Sequence, residues 1–183
     1  VLVGALAGYF GGWIDQILMR IVDILLAFPG TLLAIAFTAV LGPGLVLVVL
    51  ALCLISWTGY ARLVRGEILS LREKDFVLAA KALGGTPRRV ILLHMVPNLL
   101  PSLLIQSTFG MAAAIIAEGA LSFLGLGAQP PTPSWGSILN EGRQFLLVAP
   151  HLTTFPGLAI MIAVLGLNLV GDGLMALMEK REN

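Results

Sequence analysis

Four apolar segments of this sequence are long enough to cross a lipid bilayer, and they constrain the fold more than any other feature. A spanning helix needs about 20 apolar residues, and the bilayer core accepts only elements whose backbone hydrogen bonds are internal. The segments are residues 22–41, 44–61, 98–118 and 152–174, and residues 1–12 resemble the end of a further span. We therefore predict an all-α, polytopic transmembrane helical bundle that forms one domain over 1–183.

The composition excludes other classes of protein. Hydrophobic residues make up 58% of the chain and charged residues 11%, whereas soluble domains are about 45–50% apolar and about 25% charged. So few polar side chains cannot cover a soluble enzyme, and they exclude a disordered or fibrous chain. The net charge of +1 provides no basic surface for nucleic acid.

The distribution of lysine and arginine predicts the topology. Seven of the 11 basic residues lie within 62–97, and the connection 119–150 contains only Arg143. Under the positive-inside rule, 62–97 and the C-terminus are cytoplasmic and 119–150 lies outside. Gly42-Pro43-Gly44 predicts a tight turn between two spans, and Phe28-Pro29-Gly30 predicts a kink or break within 22–41.

The cytoplasmic segment contains a short helical pattern between Asp75 and Gly84. Phe76, Ala80 and Leu83 share one face at i, i+4 and i+7. The side chains of Ala79 and Ala80 are small enough to let a partner surface approach the helix closely. Asp75 favours the helix start, and a glycine favours its end. The pattern fits a surface helix that rests on the membrane or on its own spans, and it equally fits a docking helix for a soluble partner.

The residues on either side of this short helix also have helical patterns. Val64, Ile68 and Leu71 recur at helical spacing, which predicts that the preceding span continues into the cytoplasm. Thr86 has the character of an N-cap with Pro87 at the first helical position. We predict a second cytoplasmic helix that runs from there to Pro97.

The outer connection predicts a helix at the membrane interface. Ser134 follows a stiff, proline-rich run and is placed to cap a helix. Trp135, Ile138, Leu139, Gly142, Phe145 and Leu146 fall on one side of that helix. It is either a membrane-surface anchor or a cover over the pathway mouth, in which case Trp135 and Arg143 contact a protein that delivers substrate.

Polar groups in or near the spans are candidates for function because they are costly in a bilayer. Glu118, near the outer end of its span, is the candidate contact for a cationic substrate group. Gln106 and Asn168 lie in mid-span and can hydrogen-bond across helices or line the pathway.

Other polar residues favour structural roles. Asp23 and Asp172 lie near cytoplasmic ends, where Arg20 and Lys180 are candidate partners for structural ion pairs. The single Cys53 favours a buried core position. His94 has no second ligand at helical spacing, so we predict no metal site.

The motifs of two other function classes are missing from the sequence. It contains no GxSxG, no HExxH and no phosphate-binding GxxxxGK[ST], which argues against an intramembrane enzyme and against ATP binding by this chain. A passive channel remains a distant alternative, although a channel does not need a docking helix in the cytoplasm.

Several short runs together resemble one family. Ala79-Ala80-x-x-x-Gly84, followed by His94-Met95-Val96-Pro97, resembles the EAA loop of permease subunits of binding-protein-dependent ABC importers with the MetI-like fold. Further matches to the dipeptide and oligopeptide branch extend over essentially the whole chain. They include Gly11-Gly12-Trp13, Tyr60-Ala61-Arg62-Leu63-Val64-Arg65, Ser122-Phe123-Leu124-Gly125-Leu126-Gly127, Ser134-Trp135-Gly136 and Asn168-Leu169-Val170-Gly171-Asp172-Gly173.

The resemblance implies a multi-pass subunit of a bacterial or archaeal cytoplasmic membrane that imports di- or oligopeptides, or alternatively nickel chelates, glutathione or another small solute. It implies that Asp75, Phe76, Ala79, Ala80, Leu83 and Gly84 belong to a coupling helix, with Leu78 where the family has glutamate. The implied partners are a second homologous permease, two ATPase subunits that bind ATP and Mg²⁺, and an extracytoplasmic substrate-binding protein. This chain would itself bind no cofactor, and a first span would precede Val1.

Overall fold

The computed structural model describes residues 1–182, with side chains described as far as residue 178. All regular structure within these residues is helical, which confirms the predicted fold class. The helices, in chain order, are α1 (Leu2–Phe10), α2 (Gly12–Leu26), α3 (Gly30–Leu41), α4 (Leu45–Leu71), α5 (Asp75–Ala82), α6 (Pro87–Arg89), α7 (Val96–Phe123), α8 (Trp135–Gly142) and α9 (His151–Glu182). A π-helical segment, Val90–Met95, joins α6 to α7, and a 3₁₀ turn, Arg143–Phe145, follows α8.

Three of the helical stretches are long and apolar enough to cross a membrane by themselves. They are Leu45–Leu71, Pro87–Phe123 and His151–Met178, and α2 with α3 makes a fourth if the two count as one broken span. The break at residues 27–29 confirms the effect predicted for Phe28-Pro29, but α2 begins at Gly12 rather than near residue 22. The predicted turn at Gly42-Pro43-Gly44 is confirmed between α3 and α4.

The prediction that the helix after Thr86 ends at Pro97 is wrong, because this helix continues to Phe123. Proline normally breaks a helix because its ring collides with the carbonyl four residues earlier, here that of Leu93. That carbonyl lies in the π segment, whose wider turn provides space for the ring. The predicted extension of the span 44–61 is confirmed, since α4 runs to Leu71.

Helix contacts divide the chain into two compact units. The first unit comprises residues 1–27 and 57–106, and the second comprises 28–56 and 107–183. The core of the first unit joins α1, the end of α4, α5 and the π segment through buried Ala5, Val64, Ile68, Val77, Val90, Ile91, Met95 and Leu99. The core of the second unit is smaller and joins α3, α4 and α7 through Ala34, Val48, Ala51 and Leu121.

Small residues bring α1 against α4 inside the first unit. A Cβ atom at Gly4 would lie 2.3 Å from the carbonyl oxygen of Ala61, and one at Gly8 would lie 2.9 Å from the carbonyl oxygen of Arg65. Two glycines four residues apart therefore allow backbone-to-backbone contact, which is a common way for helices to associate in membranes.

Many large hydrophobic side chains lie on the surface, as expected for a chain whose solvent is lipid. Cys53 is exposed, so the prediction that it is buried in the core is wrong. In an apolar solvent, a small apolar side chain gains little from burial in the protein, and hydrophobicity alone does not indicate which face of α4 points inward.

Two ion pairs attach α2 to the charged end of α4. The Arg65 guanidinium donates from Nε to Asp15 Oδ1 at 2.5 Å and from Nη2 to Oδ2 at 2.6 Å, and the Asp15 side chain is 17% exposed. Arg62 pairs with Asp23 at 2.7 Å, with both side chains about half exposed. Asp23 thus pairs with Arg62 and not with the predicted Arg20, because α4 crosses α2 at this point.

Asp172 is the second acidic residue for which the sequence predicts an ion pair, and it lies exposed on α9. The side chain of Lys180, its other candidate partner, lies outside the described residues. The predicted pair between Asp172 and Lys180 therefore stays a prediction.

We expect Asp15→Asn to lower the free energy of unfolding by about 1–3 kcal/mol, because the mutation leaves a partly buried guanidinium without its carboxylate. Asp23→Asn is the matched control and should cost less than about 1 kcal/mol, since its ion pair is exposed. The midpoint of thermal unfolding of the purified protein in detergent measures both. Equal losses for the two variants would show that the bidentate pair is not the stronger one.

Candidate functional site

The short helix α5 is held in place by one fully buried side chain. Val77 is 0% exposed and belongs to the core of the first unit, where Ala80 also packs. Ala80 is partly buried and packs against this core, so it lies at the edge of the face that periodicity predicted for Phe76, Ala80 and Leu83. Val77 was not among the predicted residues, and its signal in the sequence is the i, i+3 spacing to Ala80.

The outer side of α5 has an apolar surface. Phe76 is 43% exposed, Leu78 is 50% exposed and Leu83 is 89% exposed, and Ala79 lies exposed beside them. We call Phe76, Leu78, Ala79 and Leu83 the docking surface. Because Val77 fixes the helix from the inside, these apolar side chains are presented in a fixed orientation.

Both ends of α5 have the predicted character. Asp75 lies in the first turn, and Lys74 precedes it with extended backbone. At the other end Gly84 has φ +79°, a conformation that only glycine adopts without strain. The N–H groups of Gly84 and Gly85 donate to the carbonyls of Lys81 and Ala80. The chain turns sharply there and starts α6 two residues later.

A basic segment follows the docking surface. The Thr86 hydroxyl accepts a hydrogen bond from the Arg89 N–H at 3.4 Å, which confirms Thr86 as an N-cap with Pro87 at the first helical position. A cavity of about 300 Å³ opens beside this turn, lined by Thr86, Arg88, Arg89, Leu92 and Leu93. Lys81 lies 5.1 Å from the ring centre of Tyr9, a cation–π contact that links α5 to α1.

In the outer connection, Ser134 forms a capping box with Ser137. The Ser137 N–H donates to Ser134 Oγ at 3.1 Å, and the Ser134 N–H donates to Ser137 Oγ at 2.9 Å. The predicted cap is confirmed, but α8 ends at Gly142, and Phe145 and Leu146 are exposed beyond it. The prediction of one apolar face from Trp135 to Leu146 is therefore wrong.

Glycine, rather than a large apolar side chain, forms the contact face of α8. Gly136 is buried, and a Cβ atom there would lie 2.3 Å from the carbonyl oxygen of Gly119. Backbone therefore meets backbone between α8 and α7. Hydrophobic periodicity misses such a face because the residues that make it contribute almost no apolar surface.

The structure brings Glu118 and Trp135 together around one cavity, which we call the outer cavity because the predicted topology places this connection outside. The cavity has a volume of about 450 Å³ and is lined by Glu118, Pro133, Ser134, Trp135 and Ile138. Glu118 is half-buried, and Trp135 is 44% exposed. Arg143, the other predicted outer residue, is exposed in the turn after α8 and does not line this cavity.

A hydrogen-bond chain fixes Glu118 in this position. The fully buried Ser122 donates from Oγ to Glu118 Oε1 at 2.5 Å and accepts from the Ala128 N–H at 3.0 Å. Ser122 was not among the predicted site residues, although it opens the run Ser122-Phe123-Leu124-Gly125-Leu126-Gly127 that resembles the family. The carboxylate is thereby held rigidly at the cavity wall.

The other polar candidates lie elsewhere. Gln106 is half-buried, and its backbone carbonyl accepts from the Tyr60 hydroxyl at 3.5 Å. Asn168 is half-buried on α9. Among the described residues, no group of three or more His, Cys, Asp or Glu side chains is arranged to hold a metal ion.

Comparison with known proteins gives one family match that extends over the whole chain. The profile described as "binding-protein-dependent transport system inner membrane component" matches residues 1–183.

Individual relatives are similar over nearly all of this chain. It is 49% identical over 172 residues to the dipeptide transport system permease protein DppC of Alkalihalophilus pseudofirmus, which covers 94% of this chain and 57% of that protein. It is 47% identical over 182 residues to the glutathione transport system permease protein GsiD of Escherichia coli, which covers 95% of this chain and 60% of that protein. The chain thus spans less than two thirds of the length of these relatives.

Proposed function

Since this chain belongs to the family of binding-protein-dependent transport system inner membrane components, we propose that it is a permease subunit of an ATP-driven importer of di- and oligopeptides. The names of the relatives support this substrate class, and glutathione is a tripeptide-sized alternative within it. Nickel chelates and other small solutes are further alternatives. The protein is a multi-pass component of the inner membrane, and we propose a bacterial or archaeal cytoplasmic membrane.

One observation carries the proposal: α5 presents an apolar docking surface that its own unit leaves exposed. Full burial of Phe76 or Leu83 in a partner is worth about 1.5–3 kcal/mol each, less the cost of association. The adjoining segment contains Arg88 and Arg89, which keep this part of the chain in water. A soluble cytoplasmic protein is therefore the partner that fits the surface.

The partner we propose is an ATPase subunit. The sequence of this chain has no phosphate-binding loop, so ATP and Mg²⁺ bind to the partner and hydrolysis occurs there. Two such ATPases would act on this chain and on a second, homologous permease, with the transport pathway between the two permeases. The chain has no catalytic residue of its own in this proposal, and Gln106 and Asn168 would contribute to the pathway.

The packing of the first unit explains how force would reach the spans. Val77 contacts a core that also contains Ile68 of α4, Val90 of the π segment and Leu99 of α7. Closely packed interiors move as rigid bodies rather than deforming. A displacement of α5 by the ATPases is therefore passed to two spanning helices, and a loaded binding protein outside biases the same equilibrium.

The outer cavity would be the first part of the chain to meet substrate. Trp135 and Arg143 would contact the substrate-binding protein, and the fixed carboxylate of Glu118 would meet the amino terminus of a peptide. A passive channel would need neither the docking surface nor a response to the substrate-binding protein. Ion conduction by purified protein without ATPase subunits would favour a channel.

We expect Phe76→Ala to weaken binding of the ATPase subunits by about tenfold or more, because about 1.4 kcal/mol of lost burial corresponds to a factor of ten. Gly84→Arg should have a larger effect, since it strains the turn and adds bulk beside the docking surface. Co-purification of ATPase subunits and the ratio of ATP hydrolysed to substrate taken up measure the effect.

Leu147→Ala is the control for these variants, because Leu147 is 100% exposed in the outer connection. It should leave ATPase binding and coupling unchanged. Normal uptake and normal co-purification in both Phe76→Ala and Gly84→Arg would contradict the docking proposal.

We expect Trp135→Ala and Arg143→Ala to reduce stimulation of ATP hydrolysis by loaded binding protein by about threefold to tenfold, since loss of an interface aromatic or arginine often costs more than about 1 kcal/mol. The ratio of stimulated to unstimulated hydrolysis in vesicles is the measurement. Gln144→Ala, an exposed change in the same turn, is the control. Unchanged stimulation in both test variants would remove these residues from the contact.

We expect Glu118→Gln to raise the half-saturating concentration for peptides with a free amino terminus by about fivefold to tenfold, because a charge-assisted hydrogen bond becomes a neutral one. Uptake of the same peptides with acetylated amino termini should not change. Ser122→Ala is the comparison, since it removes the hydrogen bond that holds Glu118 and should therefore impair uptake of the free peptides while leaving that of the acetylated peptides unchanged. Equal effects of Glu118→Gln on both peptides would contradict a contact with the ammonium group.

A further inference from the structure

The exposed side of α2 is divided into an apolar and a polar sector. Successive residues of a helix are separated by about 100° around its axis. The apolar sector consists of Trp13, Ile14, Ile17, Ile21 and Ile24, which are 45–80% exposed. The polar sector beside it consists of Gln16, Arg20 and Asp23, all exposed, while Val22 is fully buried on the opposite side.

The ion pairs show how α2 crosses α4. Asp15 and Asp23 are eight residues apart, which is about 12 Å along α2, whereas their partners Arg65 and Arg62 are three residues apart, about 4.5 Å along α4. Parallel helices would need equally spaced partners. The helix α2 therefore crosses α4 obliquely, at the point where α4 changes from apolar to charged.

We propose that α2 lies in the headgroup region of the inner leaflet, with its apolar sector on the lipid acyl chains and its polar sector toward the cytoplasm. The inference rests on the membrane topology of the proposed function, which places the charged end of α4 in the cytoplasm. An amphipathic helix at this depth binds the interface through its apolar face while its polar face stays hydrated.

Three observations favour lipid as the occupant. A spanning orientation would place Gln16, Arg20 and Asp23 in hydrocarbon, which is costly. Arg20, in the polar sector, complements the phosphates of anionic lipids, and Trp13 at the start of the helix is a residue type enriched at interfaces.

Spin labels placed in the two sectors test the proposal. The labels are attached to Ile17→Cys and Ile24→Cys in the apolar sector and to the matched Gln16→Cys and Arg20→Cys in the polar sector, in a Cys53→Ser background. The assembly purified from native membranes is reconstituted in vesicles of phosphatidylethanolamine and phosphatidylglycerol. Collisions of each label with oxygen, which dissolves in lipid, are compared with collisions with a water-soluble nickel chelate.

We expect the ratio of oxygen to nickel collisions to be at least about threefold higher at Ile17 and Ile24 than at Gln16 and Arg20. Low collision rates with both reagents at Ile17 and Ile24 would show that a protein subunit covers the sector and would overturn the proposal. High nickel collision rates at all four positions (a helix in water), or high oxygen rates at all four (a spanning helix), would overturn it as well.

Two further features make the outcome unambiguous. Where a label at Ile17 prevents assembly, Ile14→Cys and Ile21→Cys report on the same sector. The collision measurement requires neither ATP nor substrate, so a protein with the expected pattern that fails to couple ATP hydrolysis to uptake would contradict the proposed function alone.

Discussion

The packing of Val77 into the core of the first unit is the contact on which the functional argument depends. Without it, α5 would be a short exposed helix of eight residues, too short to be stable by itself in water. With it, α5 is joined to the buried side chains of α4 and the π segment. The same contact keeps Phe76 and Leu83 on the outside, because a helix fixed along one side must expose the other. The contact of Val77 with the core thus both stabilises α5 and presents the docking surface.

The elements that sequence patterns predicted well are those set by local chemistry. The break at Phe28-Pro29, the turn at Gly42-Pro43-Gly44 and the caps at Thr86 and Ser134 all occur where predicted. Each depends on a residue whose backbone or side chain limits its own few neighbours. The resemblance of short runs to one family was also confirmed, and it identified the protein class more specifically than composition did.

The predictions that failed concern which side of a helix packs against the rest of the protein. Hydrophobic periodicity assigned Ala80 wholly to the outer face of α5 and a long apolar face to α8, whereas the structure packs Ala80 partly against the core and ends α8 at Gly142. Periodicity shows which side chains lie on one side of a helix, but not which of its sides the rest of the protein covers. The partner of Asp23 was missed for a related reason, since Arg62 lies 39 residues away and only the crossing of two helices brings it near. The π segment before Pro97 has no signature in hydrophobic periodicity or in capping residues.

The glycines at the helix contacts have a consequence for natural variation among homologues. Gly4, Gly8 and Gly136 each face a neighbouring backbone so closely that a single methyl group would collide with it. Gly157 and Gly166, in contrast, have open space around them. Replacement by alanine is therefore sterically possible at Gly157 and Gly166 and blocked at Gly4, Gly8 and Gly136, although all five glycines lie within helices.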